Sequence, residues 1–321
     1  MSGRALIAIV GATAIGKTVL AVRLARSLDA EIVNADARQV YRRMDIGTAK
    51  PAPAELAAAR HHLIDIVDPD EAFSLERWLE LAQAALDDIW SRGKQPLLVG
   101  GTGQYVWALL EGWRVPRVPP DPELRRELES RTAEELLDEL RRVDPETALR
   151  IEPRNARRLV RALEVQRATG KPLSFWRTKA PPGFDSLIIG LRLPRAELYR
   201  RIDERVEAMV RAGLIDEVRA LLAMGYSPEL PSMSGIGYRE MCEHVQLEAD
   251  SPPAKAGEIG LEQTAERIKL ATHRFARHQN SWFKQSDPRI HWLEAGDGAA
   301  AAAERLLERE LGDRKALAHE R

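Results

Sequence analysis

Short unbroken apolar runs, rather than alternating ones, punctuate the chain. Ala5-Leu-Ile-Ala-Ile-Val10 is rich in β-branched residues and predicts a buried strand of a parallel sheet. Gly11 to Thr18 interrupts it as a loop, and residues 19–28 have helical character. A second strand is predicted over Glu31-Ile-Val-Asn-Ala, ending at Asp36. A third, Gln95-Pro-Leu-Leu-Val99, stops at Gly100-Gly101-Thr102-Gly103. Helical stretches lie between, notably residues 75–92. This alternation predicts an α/β fold with a doubly wound parallel sheet.

The pattern changes after a Pro- and Val-rich linker at residues 115–120. From Pro122 to about Ser174 only helical periodicity remains, with heavy charge. Lys179 to Phe184, with two prolines and a glycine, reads as a return linker. Leu187-Ile-Ile-Gly-Leu-Arg-Leu193 then resumes the strand pattern. The expectation is an all-helical domain, residues 115–182, inserted into an α/β core of residues 1–114 and 183–321. Helices are predicted over 197–210, 215–224 and 261–284, and a last strand over 289–293. A surface helix then runs from Asp297 into a frayed tail. No long internal repeat is present.

Composition narrows the function classes. Of 321 residues, 44% are hydrophobic, enough for a core. Lys+Arg 48 against Asp+Glu 49 excludes a uniformly basic polymer binder while leaving room for local basic patches. The one cysteine, Cys242, excludes a disulfide framework and a Cys-built zinc site. No apolar run approaches the roughly 18 residues of a membrane span. A strand beginning at Ala5 leaves no space for a signal peptide, so a cytoplasmic protein is expected.

Gly11-Ala-Thr-Ala-Ile-Gly-Lys-Thr18 fits G-x-x-x-x-G-K-[ST], between a strand and a helix as that motif requires. The motif is the one shared by nucleotide-binding, ATP-binding phosphate loops, and it predicts a site for a polyphosphate. Backbone N–H groups and the helix amino end attract phosphate, Lys17 adds a full charge, and Thr18 is placed to ligate Mg²⁺. Which polyphosphate binds, and whether a phosphoryl group moves, stays open at this point. A phosphotransferase usually carries an acidic residue at the end of another core strand. Here the third strand ends in glycines, and the carboxylate is Asp36, past the second strand and facing the same crevice. Asp36 could bind metal or take a proton from an acceptor; position alone allows both.

At these residues the sequence resembles the bacterial tRNA dimethylallyltransferases (tRNA isopentenyltransferases), and the likeness runs through nearly the whole chain. Its marks are the phosphate loop and Asp36-Ala-Arg-Gln-Val-Tyr-Arg-Arg-Met-Asp-Ile-Gly-Thr-Ala-Lys-Pro51. They continue in His61-His-Leu-Ile-Asp-Ile-Val-Asp-Pro69, Leu98-Val-Gly-Gly-Thr-Gly-Gln-Tyr105 and Arg158-Leu-Val-Arg-Ala-Leu-Glu-Val165. Thr169-Gly-Lys-Pro172, Ile236-Gly-Tyr-Arg-Glu240 and Ala276-Arg-His-Gln-Asn-Ser-Trp282 complete the set. The resemblance implies a P-loop NTPase-like core. It also implies transfer of a dimethylallyl group from dimethylallyl diphosphate to N6 of the tRNA adenosine adjoining the anticodon on its 3′ side. By that match Gly11, Ala12, Thr13, Ala14, Ile15, Gly16, Lys17 and Thr18 bind the diphosphate as leaving group, with Mg²⁺ near Thr18. Asp36 is the general base, Thr102 sits beside the acceptor base, and Arg239 is a second cation on the diphosphate. The matching tRNA contacts are Asp36, Ala37, Arg38, Gln39, Thr102, Arg125, Arg157, Arg158, Leu159, Val160, Arg161, Arg274, Arg277, His278 and Gln279. The expected partner is the tRNA anticodon stem-loop. The expectation is a monomer, with no membrane and no obligate protein partner.

Two basic segments fit that reading. Arg154, Arg157, Arg158, Arg161 and Arg167 crowd one predicted helix and its lead-in with Glu164 as the sole acid, in an otherwise neutral protein. Leu159 and Val160 belong by hydropathy to the buried side of that helix, with Leu163 and Val165. The second segment holds Arg267, Lys269, Arg274, Arg277 and Lys284 without an acid; Ile268, Phe275 and Trp282 recur at spacing seven and are expected in the core. His61 and His62 point apart and are expected to be structural rather than metal ligands; Trp78, Trp90, Trp107 and Cys242 are expected to be buried. Departures from the family pattern are Ala12 and Ile15 in the phosphate loop, Ala37, Arg154-Asn155, Ser234, and the histidines at 273 and 278. The competing functions are a nucleoside or nucleotide kinase on the same core, prenyl transfer to free adenine nucleotides, and a catalytically silent RNA-binding module.

Overall fold

The computed structural model describes residues 4–250 and 260–319. Six parallel strands form one sheet: β1 (Ala5–Val10), β2 (Ala30–Asn34), β3 (His61–His62), β4 (Gln95–Val99), β5 (Asp185–Arg192) and β6 (Ile290–Glu294), in the order β3-β2-β4-β1-β5-β6. Along β1, Ile7 and Ile9 on one face and Leu6, Ala8 and Val10 on the other are all buried. Burial on both faces is what an unbroken apolar strand requires, and helices cover both sides as in a doubly wound P-loop fold. The short β3 carries no hydropathy signal. Its backbone pairs with Ile32 and Val33 at the edge of β2, so tertiary pairing alone makes it a strand.

The helices are α1 (Lys17–Ser27), α2 (Pro53–Ala58), α3 (Leu75–Ser91), α4 (Gly103–Leu110), α5 (Pro122–Glu129), α6 (Ala133–Val143), α7 (Pro145–Ala148), α8 (Ala156–Thr169), α9 (Arg195–Arg211), α10 (Leu214–Ala223), α11 (Tyr238–Asp250), α12 (Leu261–Trp282) and α13 (Ala299–His319). In α13, Ala299, Ala303, Leu306 and Leu307 are buried in the main core. The expected surface helix is thus partly a core element, and it continues to His319 where a frayed tail was expected. Glu320 and Arg321 lie outside the described residues. None of the described helices is long and apolar enough to cross a membrane.

The chain divides into two compact units. One contains the sheet; the other comprises Leu75–Arg77 and Trp107–Pro182. The second has its own core of Leu128, Leu136, Leu140, Leu159 and Leu163. Its helices are punctuated locally. Thr132 and Glu135 form a reciprocal capping box on α6, and Asn155 Oδ1 accepts from Arg158 N at 3.2 Å to cap α8.

Candidate functional site

Neighbouring strands β1 and β4 leave the sheet in opposite directions, β1 toward β2 and β4 eventually toward β5. Their carboxyl ends therefore open a crevice at a topological switch point. The loop after β1 curls into it. Gly16 adopts φ +98° immediately before α1, a left-handed conformation that an L side chain would strain. A cavity of about 280 Å³ follows, lined by Thr13 to Val19 and by Asn34, Asp36, Gln39, Thr48, Ala49, Pro51, His61, Ile64 and Arg205, among others.

Lys17 Nζ donates to the carbonyls of Ala12 (2.7 Å) and Gly11 (3.1 Å). Burial holds its amine down to about 8. Asp36 pulls in the opposite direction, and nearby Arg205 lowers it further. Arg205 Nη2 donates to Thr13 Oγ1 at 2.6 Å, while its shielded Nε has no hydrogen-bond partner. Burial lowers the Arg205 pKa against the pull of Asp36. Neither cation has an ion pair among the described residues. The wall of Thr48, Ala49 and Pro51 is fastened from behind. Glu217 accepts from the amides of Asp45 (2.9 Å), Ile46 (2.8 Å) and Gly47 (3.2 Å) and from Tyr238 Oη (2.6 Å).

Asp36 also lines the cavity, and its Oδ1 accepts from Arg38 N at 2.8 Å. Thr102 Oγ1 accepts from Ala37 N at 3.1 Å, and Thr102 N donates to Ala35 O at 3.2 Å. The loops after β2 and β4 are thereby joined, Thr102 bonding on both sides of Asp36, to Ala35 and Ala37. His61 Nδ1 lies 2.8 Å from Ala59 O, and His62 Nε2 lies 2.7 Å from Glu31, so the two histidines do point to different partners.

Several expected contacts stand elsewhere. Arg239 does not line the cavity; its exposed guanidinium pairs with Glu240. The guanidinium that donates into the phosphate loop is that of Arg205. In the sequence Arg205 looks like one more surface charge among Asp203, Glu204 and Glu207. Its signal is faint: it flanks the buried stripe Leu198, Ile202 and Val206 of α9. Leu159 and Val160 are buried in the helical core, as their hydropathy demands and against their placement as tRNA contacts. Arg125 and Arg161 are committed to the fully buried Glu164, whose carboxylate also accepts from Asp121 N. Arg38 donates to Pro231 O, Ser232 O and Ser234 Oγ, so Ser234 helps anchor that guanidinium. Gln39 donates to Thr48 O and Ala49 O inside the cavity wall. Gln279 is buried.

Ile15 is core, which explains how the loop tolerates an apolar residue there. Phe275, expected in the core, is 40% exposed because α12 turns its other face inward. His273 stacks on Tyr199 with ring centroids 4.0 Å apart. Arg157, Arg158, Arg274, Arg277 and His278 are exposed and have no side-chain ion pair among the described residues.

For a metal, the described residues contain no cluster of three or more His, Cys, Asp or Glu side chains. The Thr18 hydroxyl and Asp36 carboxylate that line the cavity are hard oxygen donors of the kind Mg²⁺ accepts. Any Mg²⁺ held there would take most of its remaining oxygens from a ligand.

Comparison with known proteins gives one answer. The family model described as IPP transferase matches residues 39–286, and that described as isopentenyl transferase matches residues 4–72. The chain is 54% identical over 284 residues to a tRNA dimethylallyltransferase of Roseiflexus sp. (strain RS-1), covering 87% of this chain and 90% of that one. It is 43% identical over 312 residues to the enzyme of the same name from Dehalococcoides mccartyi, covering 96% and 93%. The crystal structure of a full-length tRNA isopentenylpyrophosphate transferase from Bacillus halodurans superposes with a TM-score of 0.71 at 36% identity, over 98% of this chain and 99% of that chain. A eukaryotic dimethylallyltransferase solved while acting on tRNA gives 0.79 at 28% identity, over 95% and 78%. With the phosphate loop, the switch-point cavity and these matches in agreement, the chain belongs to the IPP transferase family.

Proposed function

We propose that the protein transfers a dimethylallyl group from dimethylallyl diphosphate to N6 of the tRNA adenosine adjoining the anticodon on its 3′ side. The observation that carries this reading is that one cavity holds both the phosphate loop, with two cations lacking carboxylate partners, and the Asp36 carboxylate. Lys17, Arg205 and the loop amides bind the diphosphate and stabilise the charge it gains on leaving. The exocyclic amine of adenine is a weak nucleophile, since its lone pair is conjugated with the ring. Asp36 takes its proton as the nitrogen–carbon bond forms. The carbon–oxygen bond breaks at the same carbon, and its electron pair departs with the diphosphate. Thr102, bonded to Ala37, keeps the acceptor loop against Asp36. Thr18 would hold Mg²⁺ together with diphosphate oxygens, the metal adding positive charge at the leaving group. The exposed Arg157, Arg158, Arg274 and Arg277 provide phosphate contacts to tRNA.

The test is transfer of a labelled prenyl group to an anticodon stem-loop, with the acceptor adenosine replaced in a control. Transfer to the adenosine-bearing stem-loop alone is expected. ATP-dependent phosphorylation of a substrate with no use of allylic donors would overturn the reading. Asp36→Ala is expected to lose a factor of ~10²–10⁴ in transfer while retaining tRNA binding.

A further inference from the structure

We propose that Gln279 is a positioning residue, whose single side-chain amide sets the spacing between the loop that holds the donor and the loop that presents the acceptor. The side chain is 3% exposed. Its Oε1 accepts from Thr13 N at 2.8 Å, inside the phosphate loop. Its Nε2 donates to Gly101 O at 2.9 Å, in the loop after β4. A side chain at residue 101 would meet Nε2 at 2.2 Å, so the glycine keeps this bridge short.

The bridge continues on both sides. Thr13 also receives Arg205 through its hydroxyl. The residue after Gly101 is Thr102, whose Oγ1 accepts from Ala37 N, and Ala37 follows Asp36. Three hydrogen bonds thus run from the diphosphate cradle to the strand end carrying the general base. The chemistry of the bridge calls for an amide: one end must accept from an N–H and the other donate to a carbonyl, which a carboxylate or an ammonium cannot do together. Prenyl transfer depends on the distance between the departing oxygen's carbon and the attacking nitrogen, and displacement of about 1 Å can cost ~10²-fold in rate.

This inference rests on the prenyl-transfer reading above. Its test is single-turnover transfer from labelled dimethylallyl diphosphate to an anticodon stem-loop, comparing wild type, Gln279→Leu and Gln279→Glu. Dissociation constants for inorganic diphosphate and for the stem-loop, and melting temperatures, are measured alongside. The expected result for Gln279→Leu is a fall of about 30- to 100-fold in the saturated rate, with both dissociation constants within about threefold. Gln279→Glu is expected to fall similarly at neutral pH and to regain rate relative to wild type as pH drops, because a protonated carboxylic acid can again both donate and accept. A saturated Gln279→Leu rate within about threefold of wild type overturns the proposal, as does a flat pH ratio for Gln279→Glu. Loss confined to affinity or melting temperature overturns it too. Failure of the wild type to prenylate the stem-loop takes down the underlying reading and this proposal with it, and shows before any variant is compared.

Discussion

In the helical unit, the buried Glu164 accepts from two arginines, Arg125 and Arg161, and from a backbone amide; these partners hold its carboxyl below the usual range against the opposing effect of burial. At the carboxyl end of the sheet the stoichiometry is reversed. Lys17 and Arg205 are supplied without a carboxylate in ion-pair reach, and burial lowers both pKa values. The contrast teaches how to tell scaffold from site in an arginine-rich protein. A cation neutralised by a buried acid holds helices together. A shielded cation left with only hydroxyl or carbonyl partners is waiting for an anionic ligand, since desolvating an uncompensated charge is costly.

The largest effect is expected at the neutralised cluster. Glu164→Gln leaves two guanidiniums facing a neutral amide and is expected to cost about 3–5 kcal/mol of stability, read as a lowered melting temperature. Diphosphate affinity is expected to stay unchanged, and a drop in that affinity would break the distinction between scaffold and site. Next comes Arg205→Gln, expected to lower transfer by about 10²–10³ in kcat, with Arg239→Gln within about threefold of wild type. A reversed order would return Arg239 to the diphosphate. Third is pH. Lys17 titrates near 8 without ligand, so its cation is present below that value and is lost as pH rises through it. Diphosphate dissociation constants are expected to rise about tenfold per unit above pH 8, an increase that Lys17→Arg should suppress. The smallest effect sharpens the surface half of the comparison. Arg157→Gln with Arg158→Gln is expected to reduce the salt slope of tRNA binding by about 2 without changing the melting temperature. Arg161→Gln, tied to Glu164, is expected to do the reverse.

Much of the fold was legible because β1, β2, β4, β5 and β6 each carry a short apolar stretch and the phosphate loop follows the first of them in a recognisable way. β3 was not legible, since His61 and His62 become a strand only through the edge of β2. At the site, the loop, Asp36 and Thr102 were readable because motif and strand end coincide. Arg205 and Gln279 were not, for a shared reason: each sits beside or within the buried stripe of an amphipathic helix, where a polar residue looks like an ordinary interruption. A matching segment says which helix faces a ligand, not which side of it. The match includes Leu159, Val160 and Gln279 among tRNA contacts; hydropathy already puts the first two on the buried side, and packing turns all three in.

Lys17 has a resting place of its own. Its amine donates to the carbonyls of Gly11 and Ala12. An arriving diphosphate therefore exchanges neutral carbonyl partners for charged oxygens, and the gain at this residue is the difference between the two. The same exchange runs backward after reaction: as the spent diphosphate loosens, the loop's own carbonyls recapture the ammonium. The cradle thus carries a built-in competitor for its cation, one that eases discharge of the product.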